Sequence, residues 1–540
     1  MTRTTAALAG FLPALAAMPC ASCHLLIGHE KADLPGKDAA SDDAGPDEGT
    51  EGEEGCIDNG DCDDEKPCTD DRCDPATHLC MHLLKAAGAS CRTPAGDCDV
   101  EEFCDGSSAA CPPDTYEPPT HICRPAADTC DEPEFCTGDS AACPENSFAD
   151  GGTPCDDGDD CTYADACNGA GRCVGTRGLH DVVEISASTL YEHVCAVLTG
   201  GEIFCWGDDR FGQLGDGRTA TMSTLPVAVQ GLPGEMFAVS AGGNHTCAVL
   251  HTGGEIWCWG LNENGQLGIG SVESRTTPTK VEFPEPGIGA DEIAAGFHYT
   301  CALMRPGGVY CWGYNRQGQG GEISLLDQLV PYHLPGLEIG VSGLSAAILH
   351  TCAVQDGGVK CWGNNIVGQL GDGTHEAKVS PPASVTGLAD RALAVTCGEN
   401  FSCALLETGA VACWGGNENG QLGAAPGEGS PLPVEVGGLP GVRSIDAGSH
   451  QACALLEDGG VVCWGRGHLG QLGNGSESDS SSPVEVVGLE AGVAAVSCGR
   501  HFCCALLESG AVRCWGENGA GELGDGTTEN RSTPVAVECP

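Results

Sequence analysis

Basic residues are scarce in this 540-residue chain. Only 24 Lys and Arg stand against 77 Asp and Glu, a formal charge of −53. Such a balance argues against binding nucleic acid or an anionic membrane through a basic surface. Aromatics make up 5% of the residues. Beyond the N-terminus no apolar run reaches the ~18 residues that a spanning helix needs. No Gly-rich stretch continues into Gly-Lys-Ser/Thr, so none reads as a phosphate loop. Gly-x-Ser-x-Gly and His-Glu-x-x-His are both missing. Nothing singles out a catalytic pair, and no catalytic, cofactor or metal residue is assigned from motifs.

Cysteine is abundant instead, with 37 residues, and glycine with 82. That many cysteines suit an oxidising compartment better than a cytosol. Fourteen of them belong to a stretch that occurs seven times, typified by CALLESGAVRCWGENGAGELGDG from Cys504 to Gly526. The other copies begin at Cys195, Cys247, Cys301, Cys352, Cys403 and Cys453, 50 to 54 residues apart. A period of that length means one supersecondary unit per copy, stacked on its neighbours. Seven of the eight Trp are the Trp of Cys-Trp-Gly.

Each copy reads as a hairpin with glycine in its turn. The turn is two residues at Asp356-Gly357, three at Glu508 to Gly510 and four at His251 to Gly254. The cysteine separation follows it: nine for Cys352 and Cys361, ten for Cys504 and Cys514, eleven for Cys247 and Cys258. Folding each hairpin about its turn sets its cysteines opposite each other, Cα atoms about 4.5–5.5 Å apart, within disulfide range. The expected bridges are Cys195–Cys205, Cys247–Cys258, Cys301–Cys311, Cys352–Cys361, Cys403–Cys413, Cys453–Cys463 and Cys504–Cys514. Seven pairs of buried thiols are the alternative. Cys397, Cys498, Cys503 and Cys539 have no counterpart in most copies and stay unpaired in this scheme.

Two more strand-like pieces separate the hairpins. One is a Pro-Val segment such as Pro226 to Val229, and the other precedes each hairpin, as in Phe237 to Ser240. Four short strands in each of seven copies are the makeup of an all-β, seven-bladed β-propeller. The region opens at Val182 without a Pro-Val piece and closes on Pro534 to Val537, which predicts one blade assembled from both ends. The pattern GxVxCWGxNxxGQLGDG, followed by Pro-Val and Gly-Leu, resembles the regulator-of-chromosome-condensation repeat. The resemblance implies the seven-bladed fold and a binding role; nucleotide exchange on a small GTPase is implausible, since partner and compartment differ and the family's exchange residues lie in variable loops. Copy three departs from the pattern with Gln319-Gly320-Gly321.

The organisation read from the chain has four parts: an export signal at 1–23, an acidic disordered linker at 24–55, a Cys-rich region at 56–175 and the propeller at 176–540. Arg3 followed by the apolar Ala6 to Ala17 suits a signal. Ala21-Ser22-Cys23 resembles the end of a bacterial lipoprotein signal, which makes Cys23 the lipidation candidate, with Cys20 standing where an aliphatic residue is usual. Ordinary secretion is the other reading. Residues 56–173 hold 17 cysteines and must be cross-linked rather than held by an apolar core. A 32-residue repeat begins at Cys91 and Cys123. Both copies resemble the C-terminal half of disintegrin domains, the second through Arg124, Asp131, Pro133, Glu134 and Gly138. Neither carries Arg-Gly-Asp. Asp58, Asp61, Asp156 and Asp159 are candidate Ca2+ ligands, since calcium takes six to eight oxygens; a solvated acidic surface is the other reading.

Six copies carry a histidine just before the first cysteine: His193, His245, His298, His350, His450 and His501. They read either as a ligand surface or as residues that each fix a turn. The seven Trp read as packing between blades. Taken together, these features predict an extracellular or cell-surface protein, in a bacterial envelope if Cys23 is lipidated, monomeric, not an enzyme, and binding a protein or glycan. Membrane contact would come only through the lipid anchor. An enzyme acting on polysaccharide and a purely structural envelope component are the alternatives. An enzyme should gather non-repeating polar groups in one or two blades, with copy three and its neighbour the first place to look.

Overall fold

A computed structural model describes residues 55–156, 162–189, 192–284 and 289–539. Residues 1–54, with the expected signal, Cys23 and most of the expected linker, and Asp159 lie outside the described residues. The chain divides into two compact units. One comprises residues up to Thr93 with Glu101–Asp114, and the other comprises Pro94–Val100 with Thr115 onward.

The larger unit contains seven four-stranded antiparallel sheets, each following sequence order. The first blade is Val182–Ala187, His193–Leu198, Ile203–Asp208 and Met222–Ala228. The seventh is Val493–Cys498, Phe502–Leu507, Val512–Gly516 and Arg531–Ala536. First strands of successive blades touch one another and form the inner ring, and the seventh touches the first. Blades pack face on face, so the middle strands are buried on both sides. This is why Cys-Ala-Leu-Leu and Val-x-Cys-Trp run apolar without strict alternation.

The expected composite blade does not form. All four strands of blade 1 lie within Val182–Ala228 and all four of blade 7 within Val493–Ala536. The Pro-Val strand belongs to the hairpin that precedes it, so every copy is complete. The ends are joined across an interface instead. Leu179 N donates to Val537 O and Val182 N to Gly510 O, at 2.9 and 3.1 Å.

Each hairpin sets its two cysteines in register, Cys352 opposite Cys361 about an Asp356-Gly357 turn whose residues have φ of +53° and +83°. Two positive φ values are what a two-residue type I′ turn requires. The structure joins the seven pairs from Cys195–Cys205 to Cys504–Cys514, with Cα atoms 4.0–4.1 Å apart. Each bridge is fully buried and packs on the Trp of the following blade: Cys195 and Cys205 on Trp259, Cys504 and Cys514 on Trp206. Each indole donates to the carbonyl of the Gln, or Glu522, in the preceding blade's Gly-Gln-Leu-Gly loop, at 2.8–3.0 Å. The closing glycine of that loop is sterically required, since a Cβ on Gly215 would stand 2.6 Å from the Trp259 indole nitrogen. In the divergent third copy a Cβ on Gly320, which stands where the others have Leu, would find its nearest atoms on Asn315.

Two of the extra cysteines differ from the unpaired scheme in blade 7. Cys498 and Cys503 face each other across the first and second strands and are bonded. Cys504, one residue on, projects to the opposite face and meets Cys514. Cys539 is bonded as well. Cys397 is free and buried, because Ser402 stands opposite it.

In the Cys-rich region Cys91–Cys111 and Cys123–Cys143 close equivalent loops, and Cys68–Cys104, Cys98–Cys136 and Cys130–Cys167 span 36 to 38 residues each. The motif residues serve the fold. Arg124 bonds Glu134, Asn146 and the carbonyl of Pro144, and Asp131 accepts from Ala127 N. Asp58 and Asp61 form the capping box of a short 3-10 turn, their oxygens bonded to the amides of Gly60, Ile57 and Asp58.

Candidate interaction face

The first and third strands of a blade run in the same direction. The loop leaving the first strand and the loop after Trp-Gly therefore open on one face of the ring, with the hairpin turns on the other. The six histidines occupy two tiers of this architecture. Those two residues before the cysteine, His193, His245 and His350, are fully buried. Their Nε2 atoms meet a hydroxyl of the next blade, Thr246, Thr300 and Ser402, at 3.0, 2.8 and 2.9 Å. They tie blade to blade rather than fix their own turns, and burial lowers their pKa values to about 4, 3 and 4. They stay neutral at physiological pH.

Those three residues before the cysteine, His298, His450 and His501, reach the open face. His298 of blade 3 is apart from the other two, its ring tilted against Phe297 at 3.8 Å between centroids. His450 and His501 are on adjacent blades and belong to a cluster. His501 Nδ1 lies 2.9 Å from Glu517, and the Arg466 guanidinium reaches His501 Nε2 at 3.4 Å and His468 Nδ1 at 2.8 Å. Arg500 reaches Glu192 of blade 1 at 3.3 Å, and Glu399 of blade 5 lies 3.6 Å from His450. The His501 hydrogen bond lowers the pKa of Glu517. Burial raises that of Glu192, with Glu517 adding to the effect. Burial lowers His450 to about 4, helped by Arg466 and His501.

Non-repeating polar groups thus gather on blades 5, 6, 7 and 1, not around copy three. Copies three and four present apolar groups there: Phe297, Ile348 and Leu349 are half-buried and Ile366 is 73% exposed. Arg466, His468, Arg500, Glu399, Glu517 and Glu192 are not among the residues singled out from the sequence. The repeat carries no signal for them: the residue after Trp-Gly differs in all seven copies, from Asp208 and Leu261 to Arg466 and Glu517.

This is a propeller of seven complete four-stranded blades, with a disulfide inside each blade and one face divided between charged and apolar sectors. The regulator of chromosome condensation (RCC1) repeat matches residues 200–249, 253–303, 356–405, 408–455 and 458–506, and a second form of that repeat matches six segments between 182 and 522. The chain is 31% identical over 364 residues to the ultraviolet-B receptor UVR8 of Arabidopsis thaliana, covering 66% of this chain and 70% of that one. It is 30% identical over 350 residues to the E3 ubiquitin-protein ligase HERC2 of Homo sapiens, covering 63% of this chain but only 6% of HERC2. Among solved structures it resembles human WBSCR16, at a TM-score of 0.58 and 23% identity, over 63% of this chain and 94% of that one. It also resembles yeast RCC1 (Prp20) bound to Kap60, at 0.56 and 24%, over 62% and 83%. The chain belongs to the RCC1-repeat family.

Proposed function

We propose that this protein is exported and uses the divided face of its propeller to bind a partner protein, with the intrablade cysteine pairs as disulfides that clamp each blade outside the cell. The observation that carries the reading is the sector around Arg466 and Arg500. In a chain with 24 basic residues against 77 acidic ones, two arginines and three histidines converge on one rim without being required by the repeat. Beside them lies an apolar sector. An apolar area next to charges of both signs is the usual anatomy of a protein interface. Yeast RCC1 (Prp20), which shares the fold, is itself held by a protein, Kap60. The Cys-rich region, with its disintegrin-like motifs, acts as a cross-linked spacer.

The test is capture from an envelope or extracellular extract by the full chain, under non-reducing conditions. The comparison is between wild type, Arg466→Glu with Arg500→Glu, and Glu457→Lys on the hairpin face. The expected result is a partner retained by wild type and Glu457→Lys and lost by the double variant. A double variant that stays folded and keeps every partner overturns the assignment of the face.

A further inference from the structure

Six blades carry Gln in the Gly-Gln-Leu-Gly loop, and blade 7 carries Glu522. The Gln side chain does two things in the repeat. Its Oε1 accepts from the amide two residues earlier, as in Phe211 N to Gln213 and Asn264 N to Gln266. Its Nε2 then points to the rim. Gln213 and Gln369 donate to Asp208 and Asn364, the residue after Trp-Gly in their own blades. Gln266 Nε2 lies 3.4 Å from His298, the rim residue of the next blade.

Glu522 keeps the first contact, accepting from Ala520 N through Oε2 at 2.8 Å. Its Oε1 occupies the place of the amide nitrogen. The two residues to which that nitrogen turns are, for blade 7, Glu517 in its own blade and Glu192 in the next. Three carboxylates therefore lie near enough to repel one another, Glu192 and Glu517 both acting on Glu522, where every other blade supplies an N–H donor. Glu522 is 0% exposed, and its Oε1 has no hydrogen-bond partner. Arg500 engages one oxygen of Glu192, and His501 one oxygen of Glu517. In blades 3 and 6 the Gln Nε2 is also without a partner. A neutral amide can be met by water; a buried carboxylate beside two others must either hold a proton, and burial raises Glu522 to about 8 with Glu192 and Glu517 adding, or be met by positive charge.

The geometry points to a divalent-cation site of the calcium type at the junction of blades 7 and 1, with Glu522 Oε1 as its buried ligand and Glu192 and Glu517 as its rim ligands. All are hard oxygen donors, and the site opens to water that can complete the six to eight ligands calcium takes. The ion would take the place of the missing donor and link the last blade to the first. Glu192 and Glu522 are 330 residues apart in sequence, so only a closed ring forms the site.

The test uses the full exported chain, stripped with chelator and titrated with CaCl2 by calorimetry and by thermal unfolding. Glu522→Gln restores the amide of the other six blades, so the variant keeps the loop's own bonds. Wild type is expected to bind with a Kd of about 1 mM or tighter, as extracellular calcium modules do, and to unfold at higher temperature with calcium. Glu522→Gln should lose one equivalent of calcium and most of that thermal shift, without loss of stability in chelator. The variant comparison separates this site from the Asp-rich surface of the Cys-rich region. If Glu522→Gln does not fold, Glu192→Gln carries the same expectation. Equal calcium binding and equal shifts in wild type and variant overturn the site, as does absence of binding in wild type. Stabilisation by free arginine but not by calcium also overturns it, assigning the pocket to a partner's cationic side chain.

Discussion

Trp206 Nε1 donates to the carbonyl of Glu522, 2.8 Å away and 316 residues later in sequence. It is the seventh member of a ring of equal contacts, and the only one of them that joins the two ends of the repeat region. Trp206 is fully buried in a cluster that contains Cys504 and Cys514 of blade 7. The seam between last and first blades is thus built like the other six.

Trp206→Phe should therefore cost stability at this seam. It removes one buried donor and leaves a carbonyl unmet, about 1–3 kcal/mol. Chemical denaturation should show a larger loss for Trp206→Phe than for Trp362→Phe, because the Gln319 carbonyl that Trp362 releases still accepts from Thr351 Oγ1 at 3.1 Å, whereas blade 1 carries Val194 at that place. A variant at Trp206 with the wild-type midpoint would show that the ring is not closed by this contact.

Ser402→Cys should create a disulfide. Cys397 faces Ser402 in blade 5 as Cys498 faces Cys503 in blade 7. Wild type should yield alkylated Cys397 when denatured without reductant, since burial pushes this thiol up to about 12 and shields it in the native state. In the variant the peptides containing positions 397 and 402 should be recovered cross-linked. Recovery of both as alkylated thiols would mean that the register of blade 5 differs from that of blade 7.

The blades are legible in the sequence because the repeat shows its own errors. Turn lengths match cysteine spacings copy by copy, so the register follows from counting. The strand order at the ends is not legible in the same way, because a Pro-Val piece can belong to the hairpin before it or after it, and only the sheet pairing decides. The Cys498–Cys503 bond escapes the hairpin argument because its opposition runs across a loop between first and second strands, not across the hairpin turn. The rim cluster is hidden for a different reason. Arg466, Arg500 and Glu192 lie on three blades, and their convergence depends on the ring closing.

The contribution of two inner-strand carboxylates to stability should fall as pH rises from about 5 to 8, against that of the buried histidines, which rises up to about pH 6.5. Two inner-strand carboxylates face the ring: Glu184 accepts from Val239 of the next blade, and Glu292 accepts from Leu344 N at 3.1 Å. Burial raises Glu184 to about 8, with Glu292 adding, and burial raises Glu292 to about 7. Both values lie above the unfolded value of about 4.3. The folded state then holds protons that the unfolded state has lost, so each acid contributes a penalty absent at low pH and complete once its folded pKa is passed. Glu292→Gln should match wild type near pH 4 and exceed it by about 1–3 kcal/mol at pH 8, less where water screens the group. Unfolding curves across this range check it. A difference independent of pH would show that Glu292 ionises normally.

The intrablade cysteine pairs should be the largest single stabilising feature of the propeller. Each closes a loop of nine to eleven residues, for which chain entropy gives at most about 3 kcal/mol before any native strain is subtracted. Seven such loops together exceed much of the ~5–15 kcal/mol net stability of a typical domain. Reductant should therefore lower the thermal midpoint sharply, whereas Cys352→Ala with Cys361→Ala should lower it by the share of one bridge. Non-reducing peptide mapping should link Cys352 to Cys361 and Cys504 to Cys514, with Cys498 to Cys503 beside them. Cys503 is the informative residue, because it lies 3.6 Å from Cys453 Sγ of blade 6 as well. A peptide joining Cys453 to Cys503 would mean that the bond crosses between blades, and the hairpin register used for blades 6 and 7 would be wrong.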